Sequence, residues 1–172
     1  MSDKSFLEEM LLLEHSKPQT MRIVHWVGAD ADRLALLFEV FLGNDYRLSQ
    51  RSAWAVRYVG EKHPELMRPY YPVLLEALRR KPLHDAVKRN VLNVFEALEI
   101  TPECYDDLAD HCFRYLADPK EAIAVRCASM TVLEKICRAI PELKSELQML
   151  IEEHLEFGGA GFKSRGKRIL GR

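Results

Sequence analysis

No apolar run in this chain of 172 residues approaches the roughly 18 that a bilayer-spanning helix needs, so no membrane segment is expected. The first residues, Met1 to Lys4, lack the basic stretch that opens a secretory leader. They run straight into an amphipathic segment carrying Glu8, Glu9 and Glu14. That argues against a signal peptide and makes a cytoplasmic protein the expectation. Neither sign of charge dominates, since 25 Lys and Arg face 26 Asp and Glu, a net charge of -1. The four cysteines, Cys104, Cys112, Cys127 and Cys137, form no C-x-x-C pair. They are expected as reduced thiols filling small core positions, with no metal and no cofactor.

Catalytic signatures are missing as well. His15, His25, His63, His84, His111 and His154 are scattered, with no H-x-x-x-H spacing. No serine stands in a nucleophile elbow. The stretch Gly158-Gly159-Ala160-Gly161-Phe162-Lys163-Ser164 places Phe162 between glycine and lysine and follows a helix, so it is no Walker loop. An all-helical lyase would need a Gly-Ser-Ser-x-Met-Pro-type loop and a much longer chain. A non-catalytic protein is therefore expected.

What the chain does have is a beat. Pro64-Glu65-Leu66, Pro102-Glu103-Cys104 and Pro141-Glu142-Leu143 recur at intervals of 38 and 39 residues. Arg51, Arg89, Arg126 and Arg165 recur at 38, 37 and 39. Helical periodicity fills the intervals without a convincing strand. Segments are expected over residues 6–15 (with a Ser5/Glu8 capping box), 18–27, 31–42, 46–60, 64–80, 85–98, 102–116, 118–139 and 141–157. Proline in a first turn removes a donor that has no intrahelical partner, and the following glutamate complements the positive helix end. The three prolines thus read as starts of the first helix of each pair, and the recurring arginines fall near the start of the second. A period of about forty in an all-helical pattern is the mark of stacked helix pairs.

The Asp118-Pro119 turn followed by Val125-Arg126 resembles the HEAT family of repeats. Asn44-Asp45 before Arg51 and Asp85 before Arg89 are weaker counterparts, and Gly159 stands where an acid would precede Arg165. The resemblance, which extends to the armadillo-like class, implies an all-α fold: an α-α superhelix, or solenoid, of about four stacked helix pairs. It is read as one domain over 1–172, with cap helices in 1–30, repeat pairs in 31–157 and a basic C-terminal helix in 158–172. Second helices are expected to line the concave side. In such arrays an arginine at this place commonly bonds a turn acid, so the ladder is read either as a structural tie or as a row of anion-binding forks.

Basic residues gather where second helices begin: Arg47, Arg51 and Arg57; Arg79, Arg80, Lys81, Lys88 and Arg89; Lys120 and Arg126. Lys163, Arg165, Lys167, Arg168 and Arg172 crowd the C-terminal segment, with no acid after Glu156. Either pattern is a solvated face or an electrostatic footprint for an acidic partner or a phosphate backbone.

The function expected is a protein- or peptide-binding scaffold that uses a partly basic concave face. Its candidate contacts are Arg47, Arg51, Arg57, Tyr58, Lys88, Arg89, Asn93 and Arg126, with Lys163, Arg165, Lys167 and Arg168 as a second patch. The alternative is nucleic-acid binding, distantly like the alkylpurine DNA glycosylases, which are built of HEAT-like repeats and use tryptophans and an aspartate. Trp26 and Trp54 lie in apolar stretches and are expected as core anchors. A third possibility is a homo-oligomer built on Leu11-Leu12-Leu13.

Overall fold

A computed structural model describes residues 2–171, and every regular element among them is helical. The chain divides into two compact units, Met1–Leu98 and Glu99–Arg172. The first holds α1 (Asp3–Leu13), α2 (Lys17–Val27), α3 (Ala31–Phe41), α4 (Tyr46–Lys62), the short α5 (Pro64–Met67), α6 (Tyr71–Arg79) and α7 (Asp85–Ala97). The second holds α8 (Tyr105–Ala117), α9 (Ile123–Ala139), α10 (Lys144–Leu155) and α11 (Ala160–Leu170). No helix among the described residues is long and apolar enough to cross a membrane.

Short polar side chains start α1 to α4. Ser2 Oγ accepts from the Ser5 amide at 3.2 Å, so α1 begins before the expected Ser5/Glu8 box, and the earlier serine takes the cap. Ser16 caps α2, and Asp30 caps α3 through the amides of Asp32 and Arg33, both at 3.0 Å. Asp45 caps α4 by accepting from the Leu48 amide at 2.9 Å. Each cap satisfies one of the four orphan donors at a helix start, and Asp30 satisfies two. Gly28 ends α2 at φ 52, a left-handed value that an L side chain resists.

The Pro-Glu-x triplets make the same local turn each time. The amide two residues after the proline donates to the carbonyl just before it: Leu66 to His63 at 3.0 Å, Cys104 to Thr101 at 2.9 Å, Leu143 to Ile140 at 3.2 Å. At Pro102 and Pro141 this closes a 3-10 turn, and the α-helices proper begin at Tyr105 and Lys144. At Pro64 it opens the four-residue α5, followed by a 3-10 turn at Arg68–Tyr70. The expected helix starts are thus tight entry turns, because proline sets φ while the chain is still closing three-residue loops.

Helix α4 is the spine of the first unit and packs against α1, α2, α3 and α7. Its buried positions are small or β-branched: Ser49, Ser52, Ala53, Ala55, Val56, Val59 and Gly60. Small residues let neighbouring helices approach, and the Ser52 hydroxyl is satisfied by the Ser49 carbonyl at 3.0 Å. A β-carbon added at Gly60 would come within 2.6 Å of Leu98 Cδ1 and 2.8 Å of Met67 Cγ. Both neighbours are boxed in, Met67 at 0% and Leu98 at 5% exposure. Gly60→Ala should therefore destabilise the protein by about 1 kcal/mol in urea unfolding, with overpacking outweighing the gain in helix propensity.

Trp54 departs from the sequence expectation. It lies two residues from both Ser52 and Val56, a rotation of about 200° on a helix, and so falls opposite the buried stripe. It is 44% exposed. Trp26 is half-buried, with the Phe6 ring at 5.5 Å and the Arg33 guanidinium 4.8 Å from its ring. The leucine triplet splits as well: Leu11 is buried, while Leu12 and Leu13 are exposed.

In the second unit α8 pairs with α9, α10 packs on both, and α11 closes against α9 and α10. Cys104, Cys112 and Cys137 are buried and in no disulfide, and burial pushes the Cys104 and Cys137 thiols above the ordinary range. Phe162 is fully buried. Gly166 lets α11 lie close to α10, where a β-carbon would meet Ile151 Cγ2 at 2.8 Å.

Candidate binding cleft of the N-terminal unit

Three of the four ladder arginines are bound to backbone carbonyls. Arg51 donates to Leu11 O at 2.9 Å and Leu12 O at 3.0 Å, the last turn of α1. Arg126 donates twice to Leu116 O in the last turn of α8, from Nε at 3.2 Å and Nη2 at 2.9 Å. Only 6% of it is exposed, and its guanidinium lies 4.8 Å from the centre of the Phe162 ring. That burial draws its pKa below the ordinary arginine value, against the pull of Asp118. Arg165 donates to Cys127 O at 2.6 Å and Thr131 Oγ1 at 2.9 Å.

Two arginines outside the ladder repeat the device, with Arg33 reaching Trp26 O at 2.7 Å and Arg80 reaching Leu42 O at 2.9 Å. The last carbonyls of a helix have no intrahelical donor and form the negative end of its dipole. A guanidinium from Arg51, Arg126, Arg33 or Arg80 satisfies both conditions, whereas the Cys127 carbonyl that Arg165 meets lies near the start of α9. Arg51 and Arg126 are held by these carbonyls and not by the expected turn acids, whereas Arg33 also pairs with the turn acid Asp30 at 3.7 Å. Asp45 is already taken by the Leu48 amide and Asp118 by the Lys120 amide at 2.8 Å.

Arg89 is the exception. It is half-buried and makes no hydrogen bond or ion pair among the described residues. It lines a cleft of about 250 Å3 between α4 and α7, together with His15, Gln50, Ala53, Trp54, Arg57, Asn90 and Asn93. The helices place these residues by simple spacing. Gln50, Ala53, Trp54 and Arg57 follow i, i+3, i+4, i+7 along α4, and Arg89, Asn90 and Asn93 share one side of α7. His15, in the turn between α1 and α2, stands edge-on to the Trp54 ring at 5.1 Å.

Asn90 is the most informative member. It is 4% exposed, and its Nδ2 has no hydrogen-bond partner among the described residues. A buried amide donor left unpaired costs about 1–3 kcal/mol. The lining contains two arginines and three side-chain amides but no carboxylate. Arg57 is partly neutralised by Glu61 at 2.9 Å, and its guanidinium lies 5.7 Å from the Tyr58 ring centre. The cleft offers donors, an aromatic wall and net positive charge.

Of the candidate contacts, the structure brings Arg57, Arg89 and Asn93 together in this cleft. Tyr58 stands next to Arg57 with Lys17 at 5.8 Å from its ring centre, Arg47 is exposed near the start of α4, and Lys88 pairs with Asp85 at 3.1 Å. Arg51 is held by α1. Arg126, Lys163, Arg165, Lys167 and Arg168 belong to the other unit. There Arg168 forks onto Glu134 at 3.0 and 2.7 Å, which raises its pKa, while Lys163 and Lys167 are exposed. Arg172 lies outside the described residues.

The sequence reading missed His15, Gln50 and Asn90, and placed Trp54 in the core. A signal existed for Asn90, since Ala86, Asn90 and Val94 stand four apart on the buried stripe of α7. An amide on an apolar stripe marks a buried polar group that needs a partner.

A family model described as HEAT repeat domain matches residues 7–172. The chain belongs to the HEAT repeat family, and its fold is the all-α helical-repeat class expected from the sequence. Neither the curated proteins nor the solved structures give a match to it.

Proposed function

We propose that this chain is a non-catalytic cytoplasmic scaffold that binds an acidic protein or peptide through the basic face of its first unit. One observation carries the reading: an arginine without an acid and a buried amide without an acceptor line the same cleft. Arg57 and Asn93 line the same cleft as Arg89, and Arg47 adds an exposed cation near the start of α4. Charge complementarity of this kind sets association rate and specificity, and weakens as salt screens it.

The nucleic-acid alternative would draw on the C-terminal helix. Arg165 and Arg168 are already engaged within their own unit, which leaves Lys163 and Lys167 as its exposed cations without a side-chain hydrogen bond or ion pair among the described residues. Fluorescence anisotropy with labelled acidic peptides and with labelled single- and double-stranded DNA and RNA, at low and physiological salt, separates the two. The scaffold reading expects salt-sensitive peptide binding and weak nucleic-acid binding. Tight nucleic-acid binding with a steep salt slope, lost when Lys163 and Lys167 become alanine, would replace it.

A further inference from the structure

We infer that the cleft between α4 and α7 is a subsite for the carboxylate of an acidic side chain, held by the Arg89 guanidinium and the Asn90 Nδ2–H. The inference rests on the scaffold reading and gives its ligand a chemistry. Arg89 and Asn90 are neighbours on α7 and both line the cleft, the Arg89 side chain half-buried and the Asn90 Nδ2 shielded just behind the cleft surface. Asn90 Nδ2 is desolvated without a hydrogen-bond partner among the described residues, and an acceptor in the cleft relieves that state when the Asn90 amide turns toward it. Three properties of the lining select the acceptor.

First, with no acid in the lining, an anion entering the cleft meets no repulsion there, whereas a cation would meet two guanidinium groups. Second, every donor is a mid-helix side chain of α4 or α7, apart from His15. The backbone amides of those turns are committed to their own helices, so the cleft lacks the cluster of free amides at a helix start that commonly cradles phosphate. A planar guanidinium fork with one amide beside it matches a planar carboxylate. Third, Ala53 and the exposed Trp54 supply an apolar wall along which the methylene stem of a glutamate or aspartate can lie. A polar group on a short apolar stem fits that combination of surfaces.

The probe is N-acetyl-glutamate N-methylamide, added to the 15N-labelled full chain while the Asn90 side-chain amide and Arg89 Nε signals are followed by NMR. The glutamine analogue and inorganic phosphate are the controls. Saturable downfield movement of the Asn90 amide protons with the glutamate probe, at least about tenfold weaker with the glutamine analogue or in Arg89→Ala, is the expected result. Silence at Asn90, equal movement with glutamine, or stronger movement with phosphate would each overturn the assignment. If acidic peptides fail to bind in the anisotropy experiment while the Asn90 signal still answers the glutamate probe, the scaffold reading falls and the carboxylate subsite stands. If acidic peptides bind while Asn90 stays silent, the subsite falls and the scaffold reading stands.

Discussion

Arg126→Ala is expected to destabilise the second unit by about 3 kcal/mol. The side chain makes two charge-assisted hydrogen bonds to the Leu116 carbonyl and stacks on Phe162, all at 6% exposure. Its removal leaves the final turn of α8 with an unmet carbonyl in a buried place. Hydrogen bonds from charged donors contribute about 1.5–3 kcal/mol, and a desolvated cation over an aromatic ring about 2. The stem of the arginine also fills space between α9 and α11. Arg126→Lys should recover only part of the loss, because an ammonium cannot present two donors in a fixed fork. Urea unfolding followed by far-ultraviolet circular dichroism reads the effect. A loss below about 0.5 kcal/mol, the range of ordinary surface substitutions, would mean that the guanidinium is not what holds that turn. Arg89→Ala supplies the contrast, with an expected stability change inside that same range, since Arg89 ties no element to another.

Asn90→Leu is expected to raise stability by about 1–2 kcal/mol while removing recognition of acidic ligands. Asn90 sits on the stripe formed with Ala86 and Val94, and its Nδ2 is buried and unpaired. Replacing an unsatisfied buried amide by an apolar group of similar size removes a desolvation penalty and adds hydrophobic burial. Proteins commonly keep such a destabilising residue where function requires it. Thermal unfolding of the two proteins side by side decides the sign. A clear drop in melting temperature for the leucine variant would show that the amide is bonded in solution, and the cleft would lose its strongest evidence.

The periodic features of the chain were legible because they report local chemistry. Three Pro-Glu-x triplets mark three entry turns with the same first hydrogen bond, and the arginine beat marks where second helices start. The target of those arginines was not legible. A guanidinium finds whichever carbonyl or acid the packing brings near, and Leu11, Leu116 and Cys127 lie 40, 10 and 38 residues from the arginines they meet. Only with those partners known does Arg89 become distinct from Arg51, Arg126 and Arg165. Trp54 was misplaced for a related reason. Apolar neighbours in sequence, Ala53 and Val56, do not decide which side of a helix faces the core when four other helices compete for α4. Asn90 was open to inspection, but its meaning depends on the absence of a partner, which no sequence states.

Recognition of acidic ligands by the Arg89 cleft is read out by a random-peptide selection on immobilised wild-type protein, run in parallel on Arg89→Glu. Charge reversal at Arg89 leaves the helix contacts intact and turns the cleft against anions. Wild-type protein is expected to enrich peptides with a glutamate or aspartate at one fixed position, and the variant is expected not to retain them. Enrichment of peptides without acids, or equal retention by both proteins, would contradict that recognition.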